Sequence, residues 1–169
     1  LGLCYKNGKG VVEDEARAFQ LFQEAAEQEC PDSLMELGLC YIYKRAGVEK
    51  NLQTAESYFK CALAASKEHD WIFELDNEAR THGLLADTYY AMYVKDEFDL
   101  TPLDIAVAIP GINLVALPVF GASKIAETSK LKTFLKTEEG EKMIRHYRIA
   151  ADLGWEFAIK RLEKLESYK

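Results

Sequence analysis

The chain has 169 residues, 49% of them hydrophobic, which is enough for one domain with a sizeable core. Its net charge of −7 and its lack of a dense lysine or arginine run disfavour a nucleic-acid-binding protein. The four cysteines include no Cys-x-x-Cys and the three histidines include no pair at metal-ligand spacing, so the sequence predicts no zinc site.

A five-residue stretch recurs near the beginning of the chain. Leu-Gly-Leu-Cys-Tyr occupies residues 1–5 and returns at residues 37–41, 36 positions later. A fixed period of about 20–50 residues is typical of stacked repeats. Downstream of each copy, apolar residues recur at the i, i+3, i+4, i+7 spacing of one helix face: Ala18, Leu21, Phe22 and Ala25, then Ala55, Tyr58, Phe59 and Ala62.

Each unit is therefore predicted to be a helix A, a glycine-containing link and a helix B. One such pair cannot bury its apolar face alone, so successive pairs stack on one another. The fold class predicted is all-α, an αα-superhelix of antiparallel helix pairs with an apolar helical insertion in its third repeat.

These residues resemble the Sel1-like repeat family, a longer-period relative of the tetratricopeptide repeat. The family pattern is a Leu-Gly-x-x-Tyr helix, a Gly-x-Gly-Val link, an acidic residue and a second helix with spaced alanines. It is matched by residues 1–5, residues 8–11, Asp14, and the helix that carries Ala18, Phe22 and Ala25-Ala26. The second copy departs in its link, where Gly47 is the one glycine kept. The resemblance implies an αα-superhelix whose surface binds other proteins.

The spacing of the repeats predicts how the chain divides. Leu85 stands 48 positions after Leu37, whereas Met143 stands 88 positions after Ala55, so about 40 residues are inserted between the two helices of the third repeat. The predicted segments are a partial repeat 1 (1–29), repeat 2 (30–66), a connection (67–78), repeat 3 (79–95 plus 139–153), the insertion (96–138) and a terminal helix (154–169). Asp14 is expected to begin the first helix B, and Gly154 to end the third.

The insertion contains the least family-like stretch. Residues 105–123 carry no charge and are interrupted by Pro110-Gly111 and Pro118. Three interpretations remain open. The run is a transmembrane helix, or two short apolar helices joined at Pro110-Gly111 that complete the solenoid core, or an apolar hairpin at 103–122 that fills or rims the groove, binds a partner or enters a bilayer face. The residues that follow, 124–136, are amphipathic and basic, as expected of a solvated helix face or of a site for an acidic partner.

Candidate partner-binding residues follow from these patterns. They are aromatic or apolar side chains outside the repeat pattern, together with a histidine in the helix-B position of Leu21 and Tyr58: Trp71, Phe73, Phe98, Ile112, Leu114, Phe120 and His146. No catalytic, cofactor-binding or metal-binding residue is predicted, because no nucleophile or acid–base arrangement stands out.

The function predicted is a protein–protein interaction scaffold or adaptor that binds a protein or peptide on the solenoid groove, without catalysis. The alternatives are a membrane-associating or inhibitory module that acts through residues 103–122, or the regulatory tail of a larger enzyme. The cysteines read as small buried hydrophobic residues and reduced thiols, which favours a cytoplasmic protein. Because the chain lacks an initiator methionine and begins within a helix A, we expect it to be a fragment.

Overall fold

A computed structural model describes residues 1–68, 75–93 and 131–166. Within these ranges all regular secondary structure is helical. The α-helices are α1 Gly2–Asn7, α2 Glu15–Ala26, α3 Pro31–Tyr43, α4 Leu52–Glu68, α5 Leu75–Tyr93, α6 Glu138–Asp152 and α7 Glu156–Glu166. Residues 131–134 are also helical, and a 3-10 turn, Arg45–Gly47, follows α3.

The helices pack against one another in chain order. The pairs are α1 with α2, α3 with α4, and α5 with α6, and successive pairs are joined by α2–α3, α4–α5 and α6–α7 contacts. Each pair buries its apolar face against the next, as a repeat solenoid requires. The prediction of an all-α solenoid is confirmed in the described residues.

Local sequence explains where several helices begin and end. A side-chain oxygen of Asp14 accepts a hydrogen bond from the Arg17 backbone N–H at 2.8 Å and caps α2, as predicted. Thr137 caps α6 in the same way through the Gly140 N–H, at 3.2 Å. Gly154 follows the end of α6 with a φ of 90°, a left-handed conformation that glycine adopts without strain.

The repeated glycine lets the two helices of a pair approach closely. A Cβ placed on Gly38 would lie 2.6 Å from Cε1 of Phe59, and one on Gly2 would lie 2.6 Å from Cε1 of Phe22. Phe59 is fully buried, so it has little room to move away. The first two pairs therefore depend on glycine at this position of helix A.

The third pair solves the same packing problem with different residues. Ala86 stands where Gly38 stands in α3, and Tyr147 stands where Phe59 stands in α4. Both Ala86 and Tyr147 are buried. One turn earlier, Gly83 makes room for Trp155, because a Cβ on Gly83 would lie 1.7 Å from Cζ3 of that indole.

The helix bounds differ from the predicted ones around the connection at 67–78. Helix α4 continues to Glu68 and α5 begins at Leu75, because the helical pattern extends into both ends of that segment. Residues 69–74 lie outside the described residues, as does the uncharged run 105–123. The division into repeats, and the bounds of the insertion at 96–138, stay predictions.

The described residues on the two sides of positions 94–130 contact each other. Phe134, in the helical residues 131–134, is fully buried and stacks on Tyr93 at the end of α5, with ring centroids 4.2 Å apart. Tyr90 contacts the same ring at 5.9 Å. Phe134 therefore packs residues 131–134 against the C-terminal turn of α5.

Candidate partner-binding surface

Six of the seven predicted site residues, Trp71, Phe73, Phe98, Ile112, Leu114 and Phe120, lie outside the described residues, and their role stays a prediction. The seventh, His146, is half-buried on α6. The sequence placed it in the position of Tyr58, facing the core or the groove. Its surroundings join the two helices that flank the predicted insertion.

His146 forms a pair with His82 of α5. Their Nδ1 atoms lie 2.7 Å apart, and their ring centroids lie 5.0 Å apart with the planes tilted by 29°. One Nδ1 must donate and the other accept, so the two neutral rings carry opposite tautomers. Protonation of both rings would remove the acceptor and place two positive charges side by side.

The surroundings keep both histidines neutral. Burial lowers the pKa of His82 to about 4, assisted by the positive charge that His146 gains on protonation and by Lys67. Burial also lowers the pKa of His146 to about 4, assisted by Arg145, Lys60 and Lys67. With no carboxylate among these causes, protonation has little to offset the lost hydration.

The histidine pair extends an aromatic contact that recurs along the solenoid. The Tyr89 ring stacks on His146 at 5.9 Å, and at the equivalent positions of the second pair Tyr41 stacks on Tyr58 at 5.7 Å. Sequence reasoning singled out His146 but missed its partner. The sequence did offer a signal for this partner. His82 stands in α5 where α3 carries the buried Leu34, so the third pair has histidines in place of both Leu34 and Tyr58 of the second pair.

A second polar pair, Asp87 and Tyr147, links the same helices. The Tyr147 hydroxyl donates a hydrogen bond to Oδ1 of Asp87. Burial raises the pKa of the Asp87 carboxyl, and Arg161 of α7 partly counteracts this shift. Burial and the nearby Asp87 raise the pKa of Tyr147 well above its ordinary value, so its hydroxyl stays a donor.

The first helices of the pairs contact one another laterally. Nζ of Lys6 on α1 lies 2.5 Å from Oε2 of Glu36 on α3. Nδ2 of Asn77 on α5 donates to Oδ1 of Asp32 on α3 at 2.8 Å. These two contacts join α1 to α3 and α3 to α5, and we call the surface that these three helices share the odd-helix surface.

Three residues form a polar patch on the odd-helix surface, the arginine–tyrosine patch: Tyr43, Arg45 and Arg80. The Arg45 guanidinium carbon lies 5.0 Å from the centroid of the Tyr43 ring. Burial raises the pKa of Tyr43 to about 12, Arg45 and Arg80 act to lower it, and Asp87 acts to raise it. Both arginines are therefore close enough to act electrostatically on the Tyr43 hydroxyl.

Other kinds of site find little support in the part of the chain that the structure describes. It contains no group of three or more histidine, cysteine, aspartate or glutamate residues that could hold a metal ion. It also contains no helix that is long and apolar enough to cross a membrane. Of the cysteines, Cys40 is buried and Cys61 is exposed, so the expectation of buried hydrophobic cysteines holds for Cys40 and fails for Cys61.

Comparison with known proteins agrees with this geometry. The Sel1 repeat family matches residues 1–30 and residues 31–66, two tandem copies that each span a helix pair. Residues 1–66 therefore carry two Sel1-like repeats. Sel1 repeats are generally non-catalytic protein-interaction modules.

The chain is also similar to a solved structure, a Sel1 repeat protein from Oxalobacter formigenes, with 22% sequence identity and a TM-score of 0.48. The match covers 98% of this chain and 60% of that one, so this chain spans about three fifths of its length. A comparison with curated proteins gave no match.

Proposed function

We propose that this protein is an interaction scaffold that binds another protein or a peptide on the odd-helix surface, with no catalysis of its own. The match of residues 1–66 to two Sel1 repeats carries the proposal, because such repeats generally mediate protein interactions. The net charge of −7 favours a protein partner over a nucleic acid.

The choice of surface rests on the lateral contacts between first helices. The Lys6–Glu36 and Asp32–Asn77 contacts join α1 to α3 and α3 to α5. The half-buried side chains of these helices, such as Tyr43 and Arg80, would be the ones that a bound peptide contacts. Stacked repeats use extended surfaces of this kind for binding.

Site-specific photo-crosslinking tests this function. A photoreactive phenylalanine analogue would replace Ala91, which stands in α5 where Tyr43 stands in α3. The matched control places the same analogue at Gln20, an exposed position on α2. Irradiation in an extract of the source organism should yield a discrete adduct from position 91 that is absent from position 20. The same adducts from both positions, or none from position 91, would contradict the proposal.

We also propose a cytoplasmic setting. Burial raises the pKa of Cys40 to about 11, which keeps that thiol protonated and slow to exchange with disulfides. Cell fractionation with thiol-reactive labelling checks this, and recovery of the protein with oxidised cysteines from an extracytoplasmic fraction would contradict it.

A further inference from the structure

Arg80 has an unusual environment for an arginine on α5. It is half-buried, and its Nε is buried without a hydrogen-bond partner. No ion pair of Arg80 is found within the described residues. A docked partner cannot reach the buried Nε, but the two Nη atoms of Arg80 are not fully buried and form no hydrogen bond within the described residues, so they are donors available to a ligand.

Tyr43 offers a second donor in the same patch. Its hydroxyl forms no hydrogen bond within the part of the chain that the structure covers. Because burial raises its pKa to about 12, the hydroxyl keeps its proton at neutral pH. The Arg45 guanidinium packs on the Tyr43 ring and holds that side chain in place.

The carboxylates around the patch do not neutralise Arg80. Asp87 accepts the Tyr147 hydrogen bond, and burial raises its pKa, which disfavours its charged form. Glu15 lies 3.9 Å from Nε of Arg45, at the limit of an ion pair. In a chain of net charge −7, the arginine–tyrosine patch is therefore a local positive site with donors available.

We propose that Tyr43, Arg45 and Arg80 anchor an acidic segment of the partner protein. A glutamate or aspartate side chain of the partner would accept two hydrogen bonds from the Nη atoms of Arg80, and the Tyr43 hydroxyl would donate to an acceptor of the same segment. Arg45 would add attraction at the rim. This inference rests on the proposed scaffold function and adds the chemistry of its partner.

The test uses the full chain and a fluorescein-labelled oligoglutamate peptide, with oligoglutamine as the uncharged probe. Fluorescence anisotropy at low salt should show binding of oligoglutamate only. Arg80→Gln should weaken that binding about tenfold or more, since hydrogen bonds to charged groups are the strong ones. Arg17→Gln removes the same charge from exposed α2, where Arg17 binds Gln20, and should change affinity less than about twofold.

Two variants keep the outcome interpretable. Tyr43→Phe keeps the ring under Arg45 and should weaken oligoglutamate binding several-fold, while circular dichroism confirms folding of every variant. Equal affinity of wild type and Arg80→Gln, equal affinity for both peptides, or no binding of oligoglutamate would each overturn the acidic-partner inference.

The crosslinking experiment separates this failure from failure of the scaffold function. A discrete adduct from position 91 whose yield is unchanged by Arg80→Gln would leave the scaffold function standing and overturn the anchor. Loss of that adduct on Arg80→Gln but not on Arg17→Gln would support both.

Discussion

The Nδ1 atoms of His82 and His146 lie 2.7 Å apart, so a single N–H···N hydrogen bond joins α5 to α6. The charged groups that face this pair are Lys60 and Lys67 of α4 and Arg145 of α6. All three are positive, and they oppose any further positive charge on either imidazole. The junction between these helices therefore depends on both rings staying neutral.

The folded protein should lose stability as the pH falls from about 6.5 towards 4. In the unfolded chain both histidines titrate near 6.5, whereas in the fold their pKa is about 4, so below 6.5 the unfolded state binds more protons. The loss should reach about 1–3 kcal/mol by pH 5, less than two full shifts would give, because solvent screens part of each imidazole. Urea denaturation at about pH 7.5, 6 and 5 measures the free energy of unfolding across the range in which the histidines of the unfolded chain titrate.

A double variant provides the control for this prediction. His82→Leu/His146→Tyr introduces at these two positions the residues that the second pair carries, Leu34 and Tyr58. In this variant the free energy of unfolding should change little between about pH 7.5 and 5, because the two titrating imidazoles are gone. An unchanged slope in the double variant would show that other groups cause it.

Gly38→Ala should destabilise the protein by about 1–3 kcal/mol, because the new methyl group overpacks against the buried Phe59 ring. The gain in helix propensity from glycine to alanine, about 1 kcal/mol, offsets only part of this. Thermal unfolding followed by circular dichroism measures the change. Phe59→Leu in the Gly38→Ala background should recover part of the loss relative to Phe59→Leu alone. Equal effects of Gly38→Ala in both backgrounds would contradict the contact.

Tyr147→Phe should cost about 1–3 kcal/mol, since it removes the donor to the buried Asp87 carboxyl. Asp87→Leu/Tyr147→Phe, which copies the Leu39 and Phe59 positions of the second pair, should be less destabilised than the sum of the single variants. A double-mutant cycle by urea denaturation at pH 7 checks this, and strict additivity would rule out the coupling.

Asp14→Ala should lower stability by about 0.5–2 kcal/mol, because the Arg17 N–H at the start of α2 loses its acceptor. Glu13→Ala is the matched control, as Glu13 is exposed and lies outside the helix. Its effect should stay within about 0.5 kcal/mol. Similar losses in both variants would mean that charge, and not the cap, is responsible.

Sequence periodicity predicted the repeated helix pairs because each pair repeats the same local pattern. Leu-Gly-Leu-Cys-Tyr marks α3, the alanine and aromatic spacing marks α2 and α4, and Asp14 marks a helix start. The beginning of α5 at Leu75 was missed, because helix ends depend on weak local preferences.

The polar contacts of the candidate site were harder to predict. His82 and His146 are 64 positions apart, and Tyr43 and Arg80 lie on different repeats. Which side chains meet across two helices depends on the rotation of each helix about its axis, and no local pattern records that angle. Only the unusual residue types at repeat positions hinted at these contacts.

The stacking of Phe134 on Tyr93 has a practical consequence. The two ends of residues 94–130 are held together by the solenoid itself, so the rest of the fold places little demand on the length of what joins them. Loop-closure cost grows only by about 0.6 kcal/mol per doubling of length. This position is therefore a site where a segment can be shortened, exchanged or replaced by a foreign domain while the helix pairs on either side keep their packing.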